Sequence, residues 1–88
     1  MAILLVPESL SRFTNGRSLE VFVQTLNEFP EWLKKEYNAL YEVIFFGERL
    51  KGFVNLYLDD CAVTHRVREP LPISGSSSLR LVTSVSGG

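Results

Sequence analysis

The sequence predicts an α+β domain in which a mixed sheet of four to five strands packs on one main helix. Alternating apolar and polar residues in the two halves of the chain indicate strands, and apolar residues at helical spacing between them indicate the helix. The predicted order is β-β-α-β-(β)-β. Because 88 residues suffice for one small core, we assign residues 1–83 to a single domain and residues 84–88 to a flexible C-terminal tail.

The first two strands are predicted to pair as a hairpin. Residues 2–6 form an apolar run that Pro7 stops, and residues 18–23 alternate between the two faces of a strand. Asn15 and Gly16 lie between these segments and are a dipeptide typical of tight turns.

The main helix is predicted from apolar residues that recur at helical spacing, namely Leu26, Phe29, Leu33, Tyr37 and Leu40. Thr25 and Glu28 have the spacing of a capping box, in which each side chain accepts a backbone N–H of the other residue. Pro30 is compatible with the first turn if the helix begins at Asn27. Asn38 marks a predicted break.

The segment after this break is ambiguous. Residues 41–46 are apolar on nearly every face, so they fit either a second short helical turn or a buried connector, and Gly47 ends them. A strand is then predicted at residues 53–58, where apolar and polar residues alternate again. Asp59 and Asp60 close this strand as a turn.

The last strand is predicted at residues 79–85, after loops that contain one short strand near residues 62–64. We expect it to lie parallel to the first strand in the middle of the sheet. Leu79 and Leu81 then face the helix, and Arg80 and Val82 point outward together with Tyr57. An exposed apolar surface with a basic rim is typical of a protein-binding site, so these three residues are the predicted partner-binding surface.

The composition of the chain argues against several classes of function. A net charge of −1 gives no reason to expect nucleic-acid binding, and no apolar run approaches the length of a membrane span. Cys61 is the one cysteine, which excludes an internal disulfide and suits the cytoplasm; we expect it to be a small core residue. His65, beside Arg66 and Arg68, has no second histidine or spaced cysteine for a metal site and is expected to be solvated.

The chain carries Gly87 and Gly88 after a short polar run, and these residues suggest a chemical role. A diglycine has no side chains and can pass through a narrow channel in extended form. An enzyme that draws a protein's C-terminus into its active site needs such a segment. We therefore predict that the carboxyl of Gly88 is the reactive group, with Ser84, Val85, Ser86 and Gly87 threading the channel.

Three segments carry a resemblance to a known family: residues 53–60, residues 79–82 and residues 86–88. With the predicted element order, they resemble the ubiquitin-like β-grasp sulfur carriers, which include the small subunit of molybdopterin synthase, the thiamin sulfur carrier and the carrier of a cysteine-forming pathway. The family often has an Asp-Gly turn before the last strand, where this chain has residues 75–78, and we expect that turn to form. Pro30 and Trp32 are unusual and leave the start of the helix open.

The resemblance implies a sulfur carrier and not an enzyme. An E1-like enzyme would use ATP and Mg²⁺ to adenylate the Gly88 carboxylate, and a sulfurtransferase or another sulfur source would convert it to a thiocarboxylate. A biosynthetic enzyme would accept the sulfur, and this chain would bind no cofactor itself. Two alternatives stay open: a modifier joined to lysines through the same carboxyl, and a β-grasp binding module without chemistry.

Overall fold

A computed structural model describes residues 2–16 and 18–83. Five strands form one sheet: β1 (Ala2–Leu5), β2 (Leu19–Val21), β5 (Val54–Leu58), β6 (Cys61–Ala62) and β7 (Ser78–Thr83). Two further strands, β3 (Phe45–Phe46) and β4 (Arg49–Leu50), pair with each other. The helices are α1 (Phe29–Glu36) and α2 (Asn38–Ile44), with 3-10 helices at Glu8–Phe13 and Leu26–Glu28.

The sheet has the order β2-β1-β7-β5-β6 and is mixed, as predicted. Its last strand, β7, lies between β1 and β5 and is parallel to β1, with Leu4 opposite Leu79. The pairing of β7 with β5 is antiparallel, with Leu56 opposite Leu81. The strand that precedes the predicted tail is therefore the central strand of the sheet and is paired on both sides.

The first two strands are antiparallel, as predicted, but their connection is not a tight hairpin. Pro7 ends β1, and the chain then forms the 3-10 helix Glu8–Phe13 before it turns back. Asn15 and Gly16 do make the predicted turn, with φ of 56° and 74°. Positive φ values favour asparagine and glycine, which explains the choice of these two residues.

The start of the helical segment differs from the predicted capping box. Leu26–Glu28 is a 3-10 turn, and α1 begins at Phe29 with Pro30 in its first turn. The Glu28 carboxylate accepts the backbone N–H of Gln24 at 2.9 Å, and the Thr25 hydroxyl donates to Oδ1 of Asn27 at 2.6 Å. Neither side chain therefore bonds the group that a capping box requires, since Glu28 bonds Gln24 instead of Thr25 and Thr25 bonds Asn27 instead of Glu28.

The helical segment divides at Tyr37, one residue before the predicted break. Residues 38–44 form α2, so the first part of the ambiguous segment is helical. Its last two residues form β3, which pairs with β4 across a turn that contains Gly47 at φ 63°. Phe45 is buried and Phe46 is exposed, as expected of alternating residues in a strand.

The core lies between the helices and one face of the sheet. The predicted core residues of the helix are buried, except that Tyr37 is half-buried. Leu4, Leu56, Leu79 and Leu81 come from the sheet and are also fully buried. The long connection between β6 and β7 is fixed to the start of the helical segment, because Leu26 donates its N–H to the Leu71 carbonyl at 2.8 Å. No helix in the described part of the chain is long and apolar enough to cross a membrane.

Candidate functional site

The candidate site is the end of β7 and the sheet surface next to it. Thr83 is the last described residue, and its hydroxyl lies 2.9 Å from the hydroxyl of Ser9 in the first 3-10 helix. The strand alternates as predicted, with Leu79 and Leu81 buried and Arg80 and Val82 exposed. The last described residue, directly before residue 84, is therefore fixed in the sheet.

The structure brings the predicted partner-binding residues onto one face of the sheet. Tyr57 and Arg80 are register partners on neighbouring strands, and the Arg80 guanidinium carbon lies 5.8 Å from the centre of the Tyr57 ring. The same guanidinium bonds a carboxylate oxygen of Asp60 at 3.1 Å. The ring and the carboxylate thus both contact Arg80, whose side chain stays 49% exposed.

Two apolar residues that the sequence reasoning missed enlarge this surface. Ile3 and Leu5 are 39% and 43% exposed, comparable with Val82 at 37%. Leu5 is the register partner of Arg80 across the parallel pair. Leu5 and Val82 also line a shallow groove that runs to Thr83. The signal was present in the sequence: once the first and last strands are placed side by side, the outward residues of both must share a face.

We call this surface the open face and define it by Ile3, Leu5, Tyr57, Arg80 and Val82. It offers exposed apolar area around one cation, Arg80, which lies between Leu5 and Tyr57. Such a surface suits a protein partner better than a small molecule. The predicted threading and reactive residues, which are Ser84, Val85, Ser86, Gly87 and Gly88, lie outside the described residues.

The acidic turn has the structural role that was expected of it. Asp59 and Asp60 have φ of 48° and 71° and form the two-residue loop between β5 and β6. An Asp59 carboxylate oxygen accepts the N–H of Ser78 at 2.9 Å, which fixes the start of β7. Both carboxylates are therefore used by the fold.

Cys61 is exposed, so its predicted place in the core is wrong. It follows the turn directly, on the two-residue strand β6 at the edge of the sheet, where few side chains are available to cover it.

The basic segment after β6 is solvated, as expected, and His65 is exposed. Arg66 bonds Glu69 at 2.9 Å, and this hydrogen bond raises the pKa of Arg66 and lowers the pKa of Glu69. Arg68 forms an ion pair with Glu48. Among residues 2–16 and 18–83, no group of three or more histidine, cysteine, aspartate or glutamate side chains is placed to hold a metal ion.

Solved structures provide the comparison with known proteins. A chain of the BexX/CysO complex of Amycolatopsis orientalis is 21% identical, with all of both chains covered and a TM-score of 0.82. CysO of Mycobacterium tuberculosis, described as an antigen, is 22% identical over 97% of this chain and 100% of that one, with a TM-score of 0.78. Small archaeal modifier protein 1 of Methanosarcina acetivorans is 19% identical over 99% of this chain and 95% of that one, also with a TM-score of 0.78.

No protein-family model matches the chain, and no curated protein matches its sequence. The structural likeness nevertheless covers nearly the whole chain. The resemblance seen in the sequence is thus confirmed at the level of the fold: the described part of the chain is a ubiquitin-like β-grasp domain.

Proposed function

We propose that this β-grasp domain is a sulfur carrier whose reactive group is the carboxyl of Gly88. One observation carries the proposal: the sequence Ser86-Gly87-Gly88 comes three residues after the central strand of a β-grasp sheet. The pairing of β7 with β1 extends to Arg80, opposite Leu5, and its pairing with β5 extends to Thr83, opposite Val54. A rigid domain can in this way present a short, slender segment to another protein's active site.

The proposed chemistry has two steps. A carboxylate is a poor electrophile, so an E1-like partner would use ATP and Mg²⁺ to form the Gly88 acyl-adenylate and release pyrophosphate. Hydrosulfide would then attack the acyl carbon and AMP would leave, giving the thiocarboxylate. A persulfide donor would give an acyl disulfide instead, which a thiol would reduce to the same product. The absence of side chains at Gly87 and Gly88 allows the close approach that both steps need.

The chain's own residues supply binding and not acid–base chemistry in this proposal. Tyr57, Arg80 and Val82, with Ile3 and Leu5, would contact the activating enzyme while residues 84–88 enter its channel. The complex of CysO with BexX supports the idea that a domain of this fold binds a partner protein. We further propose that the carrier works in the cytoplasm, where a sulfurtransferase or other source charges it and a biosynthetic enzyme accepts the sulfur.

The test is reconstitution with the E1-like enzyme of the same organism, MgATP and sulfide, on protein whose mass shows that Gly88 is the last residue. Replacement of one carboxylate oxygen by sulfur adds about 16 Da to the intact mass. The matched control lacks Gly88 and should gain nothing. An unchanged mass with an enzyme that charges a known carrier would refute the proposal.

A second candidate is a protein modifier, which the name of the Methanosarcina acetivorans neighbour favours. The acyl-adenylate would be shared, but a lysine amine and not a sulfur nucleophile would finally take the acyl group. Immunoblots of cells that express the tagged chain separate the two: covalent adducts of high mass that survive reducing denaturation support the modifier, and their absence leaves the carrier.

A further inference from the structure

We propose that a cleft between β2 and α1 is a docking site for an arginine side chain of a partner protein. This aromatic cleft is lined by four aromatic rings and two carboxylates, from Phe13, Phe22, Trp32, Tyr37, Glu20 and Glu36. It shares no residue with the open face, which it adjoins where Glu20 pairs in register with Ile3. The inference therefore goes beyond the carrier chemistry and does not depend on what happens at Gly88.

Two rings of the aromatic cleft, Trp32 and Tyr37, are held in place by contacts with other rings. Fully buried Phe29 stacks on Trp32 with centroids 6.4 Å apart, and Tyr37 meets Trp32 at 5.9 Å with a tilt of 47°. Phe22, by contrast, is 64% exposed. Exposing a phenylalanine to water is unfavourable, so a ring beside a preformed aromatic wall indicates a surface that a partner covers.

The charge of the aromatic cleft points to a cation. Glu20 and Glu36 are exposed, and neither forms an ion pair with any described residue. No lysine, arginine or histidine among residues 2–16 and 18–83 lines the cleft, although the Arg12 guanidinium carbon lies 4.9 Å from the centre of the Phe13 ring at its border. Aromatic faces attract a cation through their quadrupole, and two carboxylates add direct charge attraction.

Arginine fits this combination better than lysine. Its planar guanidinium stacks on aromatic rings and also donates two parallel hydrogen bonds to a carboxylate, whereas an ammonium acts as a compact and strongly hydrated charge. The aromatic cleft offers rings and carboxylates together.

The position of the aromatic cleft suits a protein that also takes the tail. Leu19 pairs with Leu4, so β2 lies two strands from β7, or about 10 Å away. The first 3-10 helix supplies Phe13 to the cleft and Ser9 to the contact with Thr83. One partner can therefore reach both places.

The test is an NMR titration of the whole chain with N-acetyl-arginine methylamide, which carries one guanidinium. We expect saturable shifts of the Trp32 indole and Phe22 ring signals, with a dissociation constant on the order of millimolar. The double variant E20Q/E36Q should weaken binding about tenfold. The double variant E31Q/E42Q removes the same charge from exposed positions outside the cleft and should leave binding unchanged. F22A should weaken binding several-fold without unfolding the protein, because the ring is exposed.

Three results would overturn the proposal. The first is the absence of saturable shifts with the wild-type chain. The second is equal affinity for Nα-acetyl-lysine methylamide, which keeps its side-chain ammonium; this result would mean that the cleft does not select a guanidinium. The third is a rise in affinity in R17A, which would identify the chain's own Arg17, outside the described residues, as the occupant.

Discussion

The hydroxyl oxygens of Ser9 and Thr83 lie 2.9 Å apart and are joined by a hydrogen bond. The bond connects residues 74 positions apart in the sequence and fixes the first 3-10 helix to the end of the described part of β7. Thr83 directly precedes residues 84–88, which carry the proposed chemistry, so this contact fixes the residue next to them in the sequence.

The Ser9–Thr83 contact is predicted to be a weak but measurable stabilising pair. S9A and T83V should each lower the free energy of unfolding by about 0.5–1 kcal/mol, because the bond is exposed and competes with water. The double variant should cost no more than either single change, since each removes the same bond. Urea denaturation measures all three. Fully additive losses would show that the two hydroxyls are not coupled.

The alternation of β7 predicts opposite effects for neighbouring residues. Leu81 is fully buried in the central strand, so L81A should destabilise the domain by about 2–5 kcal/mol through lost burial and a cavity. Val82 is exposed, so V82A should stay within about 0.5 kcal/mol of the wild type. Thermal and urea unfolding compare the pair directly, and similar losses for both would contradict the assigned faces.

The open face is predicted to contribute to recognition and not to folding. R80A removes the cation that lies over Tyr57 and bonds Asp60. It should therefore raise the KM of the activating enzyme for this protein about tenfold, with little change in kcat. R68A is the matched control, because Arg68 pairs with Glu48 away from this face. Pyrophosphate exchange kinetics give both constants. Equal effects of R80A and R68A would remove the open face from the account.

The Arg66–Glu69 pair predicts a local pH effect. The Arg66 side chain lowers the pKa of the Glu69 carboxyl through a hydrogen bond at 2.9 Å. A carboxyl group whose pKa is lowered by folding stabilises the folded state at pH values above the pKa of the unfolded state. This stabilisation is lost as the pH falls through the pKa of the folded state. An NMR titration should find that R66A raises the pKa of Glu69. The same pKa in both proteins would mean that the pair does not form in solution.

The sheet could be predicted because its strands carry clear alternation and its centre is strongly apolar. In residues 53–58 and 79–82, the alternate residues that were predicted to face the core do so. The last strand could be placed beside the first because the most apolar strands are expected at the centre of a sheet. The turn at Asp59 and Asp60 could also be predicted, because aspartate is common in turns and tolerates positive φ.

The missed features depend on contacts that no local pattern encodes. The 3-10 helix Glu8–Phe13 has only Leu10 buried, so it lacks the apolar repeat that marks a longer helix. Glu28 reaches Gln24 because the preceding turn winds more tightly than an α-helix. Cys61 is exposed because it falls on a short edge strand, which the composition of the chain does not reveal.

Tandem mass spectrometry of the chain, after charging with the activating enzyme, MgATP and sulfide, shows which residue receives the sulfur. If Gly88 is the reactive residue, the gain of about 16 Da is confined to fragments that contain it, and C61S gains the same mass. Unchanged masses for the fragments that contain Gly88, with an enzyme preparation that charges a known carrier, would contradict the account.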